Sequence, residues 1–390
     1  MSPEQTDFER LVGPDKRRLP RPSGLASIVL IITALSVFGL LALLPRDTPE
    51  LDLSLFGFSD RVIPAMVGST VQAGCSYAED LECDSVTFHI TETEGGVDSY
   101  LQEFPVEAGQ PQFKTGERVF LSVVDQGDGS TSFNFYDRDR RVLLVGVTLL
   151  FALAVVGLGR IRGLAALAGL ALSILVLLGF IVPAIVAGKD AVLVALVGGS
   201  AIALIALYLA HGYTPLTHVS AIGAFGALAL TAGLSWLVLE LARFTGLASE
   251  ESFYLLSLPS IDLSGLLLAG IVLGAIGALD DVTVTQASAV WELQQANPEM
   301  GSRRLFESGL RIGRDHIAST VNTLLLAYAG AAMPLVILFS LSALPIGVVA
   351  SSEVVAVEIV RTLVGSIGLV AAVPITTWLA ARQAAAEAST

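Results

Sequence analysis

The fold is decided by the stretch Gly270-Ile-Val-Leu-Gly274-Ala-Ile-Gly277-Ala-Leu-Asp280-Asp281, an apolar run of small residues that ends in two adjacent acids. In a helix, residues three or four apart share one face. We call the face formed here the glycine stripe: Gly270, Gly274, Gly277, Asp281, Thr285, Ser288 and Glu292. Glycines at such positions let a second helix approach closely. We therefore expect Asp281 to point at protein and to have a compensating partner there.

The composition is typical of a polytopic membrane protein. Of the 390 residues, 53% are hydrophobic and 15% are charged, whereas globular chains carry about 25% charge. The sequence predicts about eight transmembrane α-helices, because a span needs about 20 apolar residues. The eight stretches lie near 24–44, 142–159, 163–187, 191–210, 217–241, 262–282, 317–340 and 362–381.

Residues 46–140, between the first two predicted helices, have the composition of a soluble domain. They hold 18 acidic and 6 basic residues, so this insert carries most of the net charge of -14. Short alternating apolar runs separated by turn residues predict a small all-β domain, either a barrel or a sandwich. The remainder is predicted as a disordered cytoplasmic tail (1–23), a seven-helix membrane domain (142–382) with a polar cytoplasmic loop (283–316), and a cytoplasmic tail (383–390).

The distribution of basic residues predicts the orientation, because loops rich in Lys and Arg stay in the cytoplasm. With the N-terminal tail in the cytoplasm, most basic residues of the tails and short loops fall on the same side, although Arg138, Arg140 and Arg141 do not. Both termini are then cytoplasmic and the β domain is outside. Cys75 and Cys83, the two cysteines of the chain, lie in that outer domain. A single pair in an oxidising compartment predicts a disulfide.

A second polar group opens the seventh predicted helix. Asp315, Ser319 and Asn322 share one helical face, and His316, Thr320 and Thr323 share the next. Since helices six and seven are antiparallel neighbours and both polar at the same end, we expect a shared pocket open to the cytoplasm. The alternative is that these polar residues have only a structural role. Such residues are common at helix ends, and Arg311 could pair with Asp315. Helix six could also break at the two acids instead of continuing to Ala296.

Two motifs resemble the signature of the YibE/F-like family of bacterial multi-pass membrane proteins: residues 274–292 and residues 313–330. The polar positions that match the family pattern are Asp281, Ser288, Glu292, Arg314, Asp315, Asn322 and Thr323, whereas Asp280 and the two cysteines look particular to this sequence. The resemblance implies a permease-like protein of the bacterial cytoplasmic (inner) membrane with an extracytoplasmic β domain. It leaves the substrate open.

Our leading hypothesis is a secondary transporter or channel that moves a small ion or solute between helices six and seven. The expected path residues are Asp280, Asp281, Thr285, Ser288, Glu292, Asp315, His316, Ser319, Asn322 and Thr323. Hard oxygen ligands suit a cation or a proton, so Asp280 and Asp281 are candidate metal ligands, and Asp281→Asn is predicted to abolish transport. No cofactor is expected beyond such a bound cation.

Two other functional classes fit the sequence less well. A non-transporting envelope accessory or scaffold protein, whose β domain binds a partner, is the alternative that the large insert suggests. An enzyme is not expected, because the sequence contains no nucleophile elbow, HExxH motif or complete triad. The expected partners are the lipid bilayer, a small ion or solute, and either a second copy of the chain or an envelope protein. A nucleic-acid partner is not expected, since no basic stripe is present.

Overall fold

The computed structural model describes residues 24–45, 61–94, 97–125, 131–256, 258 and 260–388. They form two compact units, one comprising residues up to 49 and from 159 onward, the other comprising residues 50–158. We call these the helical unit and the β unit. The predicted combination of apolar helices with a small antiparallel β domain near the N-terminus is confirmed. The predicted tail 1–23 lies outside the described residues, and residues 383–388 of the predicted C-terminal tail continue the last helix.

The β unit is built on one five-stranded antiparallel sheet. Its strands are β1 (Val62–Cys75), β2 (Ala78–Glu94), β3 (Val97–Pro105), β4 (Arg118–Asp125) and β5 (Thr131–Arg138), in the order β3-β2-β1-β4-β5. The long β1 strand pairs with both β2 and β4, with a register shift between Val67 and Ser69. The two edge strands approach each other, since the Phe135 backbone N–H donates to Gln102 Oε1 at 2.8 Å. The sheet is therefore curved like a partly open barrel.

Aromatic side chains fill the interior of this sheet. Phe88 and Phe133 are fully buried, and Phe113, from the segment between β3 and β4, contacts the rings of Phe104 and Phe135 at centroid distances of 4.8 and 4.9 Å. These contacts account for the alternation of inward and outward residues that predicted the domain. The predicted disulfide between Cys75 and Cys83 is confirmed, and it joins the end of β1 to β2 across their hairpin.

The helices follow in chain order, with bounds close to several predicted spans. They are α1 (Gly24–Leu43), α2 (Arg141–Val176), a π-helical turn (Leu177–Ile181), α3 (Val182–Val186), α4 (Ala191–His211), α5 (Pro215–Ala242), α6 (Glu250–Leu255), α7 (Leu263–Ala296), α8 (Ser302–Ala331), α9 (Met333–Ser340), α10 (Ile346–Ser351) and α11 (Glu353–Ala388). Among the described residues, six helical segments are long and apolar enough to cross a membrane, and the count is seven if the bent pair α8–α9 is one span.

The count of about eight spans stays a prediction. The difference arises at residues 141–186, which form one helical segment of 46 residues although two spans were predicted there. Arg160 interrupts this segment with a left-handed backbone (φ 50°). At 1.5 Å per residue, a helix of this length would extend about 69 Å, roughly twice the hydrocarbon thickness of a bilayer. The segment is therefore long enough for the two predicted crossings.

Three further expectations can be compared with the helix bounds, and of the two alternatives for helix six the continuous helix to Ala296 is confirmed. The polar loop 283–316 is helical except at residues 297–301, because α7 continues to Ala296 and α8 begins at Ser302. Helix six does not break at its two acids, since the Asp280 and Asp281 backbones stay within α7. The predicted seventh span is not straight: α8 and α9 meet at an angle of 71°, where Pro334 begins the second helix.

The core of the helical unit is built from the π-helical turn, α3, α4, α5, α7 and α11, with the most residues from α7. Its buried residues are mostly Ala, Val, Leu and Ile, and small residues set the helix spacing. Thr376 of α11 lies over Gly223 of α5, and Thr231 of α5 lies over Gly368 of α11, so a methyl group at either glycine would collide with the threonine. Glycine is needed at both positions because these antiparallel helices approach closely there.

Candidate functional site

The two adjacent acids of α7 face different surroundings. The helix begins after Asp262, whose side chain accepts from the Ser264 N–H, and it ends at Asn297, before Pro298. Successive residues of an α-helix point about 100° apart. Leu279, Val282, Gln286 and Val290 occupy the buried face of this helix. As a result Asp280 is half-buried beside that face, whereas Asp281 is exposed.

Asp280 lines a cavity of about 440 Å³ among α2, α4 and α7. Its Oδ1 atom is buried and has no hydrogen-bond partner among the described residues. Small side chains create the space: Gly169, Ala203 and Gly277 lie in its wall, and a methyl group added at Gly277 would meet nothing within 4 Å. A buried acceptor without a partner loses its hydration without compensation, and Asp280 is the one acidic side chain of the described helical unit in this position.

Two further polar side chains line the same cavity, His211 at the C-terminal end of α4 and Ser173 of α2. The His211 Nδ1–H donates to the Leu207 carbonyl at 3.3 Å, and in the neutral imidazole this leaves Nε2 as an acceptor. The Ser173 hydroxyl donates to the Gly169 carbonyl at 2.8 Å, so its oxygen can still accept. With Asp280, the cavity therefore presents acceptors and one carboxylate against a mainly apolar wall.

The glycine stripe is not packed as expected. Gly270, Gly274, Gly277 and Asp281 are exposed. Among the described residues, nothing lies within 4 Å of a methyl group built at Gly270 or Gly277, and only the Tyr328 hydroxyl, at 3.2 Å, approaches one at Gly274. Within the described chain, the expectation that Asp281 points at protein is therefore wrong. The reason is that the buried face of α7 is the neighbouring one.

The remaining predicted path residues also lie outside the cavity. Those that are exposed are Thr285, Glu292, Asp315, Ser319, Asn322 and Thr323, while Ser288 and His316 are partly exposed. Thr320 and Thr323 donate to the carbonyls of His316 and Ser319 one turn earlier, which is an ordinary arrangement for hydroxyls in helices. No residue of α8 lines the Asp280 cavity. The Asp280 cavity is therefore not shared by helices six and seven, and a separate pocket between these two helices stays a prediction.

The comparison with protein-family models supplies the family. Residues 147–386 match the model described as YibE/F-like protein. The chain belongs to the YibE/F-like family. The match contains every residue that lines the cavity and leaves out the five strands of the β unit. Searches of curated proteins and of solved structures found no match.

Inside the family-matched region, hydrogen bonds from one glutamine join α7, α8 and α11, and the sequence alone did not predict them. The Gln286 Nε2 atom donates to the Gly309 carbonyl at 2.8 Å and to Thr377 Oγ1 at 2.7 Å. Gly309 and Gly313 of α8 allow this approach, because a methyl group on either would press against neighbouring side chains. The available signals were the four-residue spacing of these glycines and an amide on the apolar face of α7.

The residues suggested as metal ligands do not form a metal cluster. Among the described residues, no group of three or more His, Cys, Asp or Glu side chains is arranged to hold a metal ion. Asp280 lies in the cavity and Asp281 does not. Asp280 therefore offers a single carboxylate, which suits a proton or a singly charged ligand better than a multidentate metal site.

Proposed function

We propose that the protein is a secondary transporter or channel that moves a small ion or solute, with Asp280 as its binding carboxylate. One observation carries the proposal: Asp280 Oδ1 is buried in a cavity of about 440 Å³ and has no partner among the described residues. An ionisable side chain within a membrane helix is costly and generally faces a cavity or a substrate path. The proposal assigns no enzymatic chemistry.

The setting of the cavity supports transport. The lining belongs to three helices that each pass the test for a membrane span. Polar groups converge in it from all three, namely Asp280, His211 and Ser173. Substrate sites of secondary transporters lie between helices and are lined by such groups. The proposal places the site among α2, α4 and α7, which revises the expected position between helices six and seven.

We also propose the orientation that the sequence favours, with both termini in the cytoplasm and the β unit outside the cytoplasmic membrane. The basic residues support it through the positive-inside rule, and the Cys75–Cys83 disulfide supports an oxidising compartment for the β unit. Reporter fusions at both termini test it. Protease cleavage of the β unit from outside intact spheroplasts is the expected result, and protection there would contradict it.

The test of transport uses the two adjacent acids as a matched pair. The purified full chain is reconstituted in proteoliposomes, and fluxes of H⁺, Na⁺, K⁺ and a lipophilic dye cation are followed by fluorescence. We expect Asp280→Asn to reduce flux to the level of empty vesicles and Asp281→Asn to retain most of it, since only Asp280 lines the cavity. Full flux in Asp280→Asn would overturn the proposal, and loss in Asp281→Asn alone would restore the sequence-based assignment.

An accessory role remains the second candidate because of one feature of the β unit. Met66, Val71 and Leu101 are exposed on its strands, with 44%, 59% and 57% of their surface accessible. The strand register places all three on the same face of the sheet, and apolar side chains grouped on one exposed face suit a protein partner. A photo-crosslinking residue at position 101 tests this in intact cells. One defined adduct, with both aspartate variants behaving as wild type, would favour the accessory role over transport.

A further inference from the structure

The chemistry of the cavity wall narrows the ligand class. Of its thirteen lining residues, ten are glycine or apolar, and the polar three are Asp280, His211 and Ser173. Asp280 is the one carboxylate in that lining, and no Lys or Arg lines the cavity to balance it. A ligand must therefore be apolar over most of its surface. It must also carry one group that complements the single negative charge of Asp280.

A bare inorganic cation does not fit this wall. Divalent cations take six or more oxygen ligands, or several His and Cys ligands, at close range. The polar lining supplies one carboxylate, one hydroxyl oxygen and one imidazole nitrogen. A dehydrated cation would leave most of its coordination unmet, and a hydrated one would place its water shell against ten residues that cannot hydrogen-bond through their side chains.

From this wall and charge we infer that the Asp280 cavity binds an organic monocation with an apolar body. This deepens the proposed transport function and rests on it. The apolar body would pack against Ala203, Leu273 and Ile276, and the cationic centre would pair with the Asp280 carboxylate. The volume of about 440 Å³ lies within the range of about 300–1,000 Å³ found for small-molecule sites. Against a mostly apolar wall, one opposite charge gives selection against neutral and anionic analogues.

The test uses ethidium, a fluorescent aromatic monocation, with the purified full chain in detergent. We expect saturable binding that weakens by at least about tenfold in Asp280→Asn, since removing one partner of a buried charge pair has effects of that order. Neutral phenanthridine, which has the same ring system without the charge, should bind at least about tenfold more weakly to wild type and equally to both proteins. Glu299→Gln, an exposed carboxylate outside the cavity, should bind ethidium like wild type.

A second variant keeps the test valid if Asp280→Asn folds poorly. Gly277→Leu fills the cavity without a collision at its first carbon, since nothing lies within 4 Å of that position. It should weaken ethidium binding while the protein elutes as wild type in size exclusion. Equal ethidium affinity in wild type and both cavity variants would overturn the inference. So would equal affinity of wild type for ethidium and phenanthridine.

The outcomes separate the inference from the function beneath it. Asp280-dependent flux of H⁺, Na⁺ or K⁺ without Asp280-dependent ethidium binding would overturn the organic monocation and leave the transporter in place. No Asp280-dependent flux of any of these ions or of ethidium would overturn the transporter, and if Asp280-dependent ethidium binding were also absent, both would be overturned. Asp280-dependent binding together with Asp280-dependent ethidium flux into vesicles supports both.

Discussion

Two aspartates, one in each unit, differ in how their carboxylate oxygens are hydrogen-bonded. In the β unit, Asp139 has a side chain 5% exposed, and Arg141 holds both of its oxygens with side-chain contacts of 2.8 Å and a backbone N–H at 3.0 Å. In the helical unit, Asp280 has a buried oxygen with no partner among the described residues. The first arrangement satisfies its charge locally, whereas the second leaves a group available to a ligand.

The difference identifies which acid is structural. A paired carboxylate such as Asp139 needs no ligand to account for it. An unpaired buried acceptor costs free energy, and proteins tolerate such groups mainly where function requires them. Four substitutions or changes of condition should alter this contrast, and Asp280→Leu should have the largest effect.

Replacing Asp280 by leucine should abolish flux and stabilise the fold. Asp280→Leu removes the unpartnered oxygen and adds apolar volume to the cavity, so unfolding of the detergent-solubilised protein should require about 1–3 kcal/mol more. Differential scanning fluorimetry and proteoliposome flux measure the two effects on one preparation. A destabilised but active variant would mean that Asp280 belongs with Asp139 as a structural acid.

Loss of the disulfide should destabilise the β unit and leave the helical unit intact. The bridge closes a loop between residues eight positions apart, and the loop-entropy relation gives about 2–3 kcal/mol for that length. In Cys75→Ser with Cys83→Ser, hydrogen exchange of β1 and β2 should speed up, while exchange in α5 and α7 stays as in wild type. Equal acceleration in the helices would show that the stabilities of the two units are coupled.

Glycines of α8 and α7 should respond differently to one methyl group. In Gly313→Ala the new carbon would lie 2.5 Å from Val373 Cγ1 and 2.8 Å from Gln286 Oε1, which should cost about 1–3 kcal/mol. In Gly277→Ala it meets nothing within 4 Å, and the higher helix propensity of alanine should make the change neutral or slightly stabilising. Chemical denaturation of the two variants measures the contrast. Equal destabilisation would mean that the glycine stripe is packed after all.

The smallest effect concerns pH and the β unit. Hydrogen bonds from the Arg141 side chain and backbone lower the pKa of Asp139 from 3.8 to about 2. Because the folded state lowers this pKa, its contribution to stability is complete above pH 4 and is lost as the pH falls toward 2. Hydrogen exchange of β4 and β5, corrected for intrinsic rates, should therefore rise over this interval. In Asp139→Asn that rise should be smaller, and an unchanged rise would contradict the assignment.

Much of the fold could be predicted from hydropathy and alternation alone. The stretches 191–210 and 217–241 agree closely with α4 and α5, because their ends carry clear turn residues. The alternation is hard to recognise in β3, because apolar Leu101 is exposed on its outward face while polar Gln102 lies on the same face as Tyr100 and Phe104. α11 was predicted too short, because charged Glu358 and Arg361 near its start form an ion pair at 2.8 Å inside the helix.

The candidate site could be predicted only in part. The sequence identified the helix and the pair of acids, and the structure decided between them. A helical face is buried by whichever neighbours the rest of the chain brings, and one residue turns the side chain by about 100°. Residue spacing alone could not reveal that α2 and α4 form a cavity beside Asp280, or that Asp281 lies outside that cavity. His211 and Ser173 could not be predicted as part of the site either, because they line the same cavity as Asp280 from helices distant in sequence.

The central claim is that Asp280 has an oxygen reserved for a ligand. A cryo-EM map of the full chain in lipid nanodiscs, at a resolution that shows ordered water, tests it most directly. We expect density from a water or a ligand within about 3.2 Å of Asp280 Oδ1, inside the cavity among α2, α4 and α7. No hydrogen-bonding group of the protein should lie at that distance. An arginine or lysine of this chain or of a second copy paired with that oxygen would contradict it.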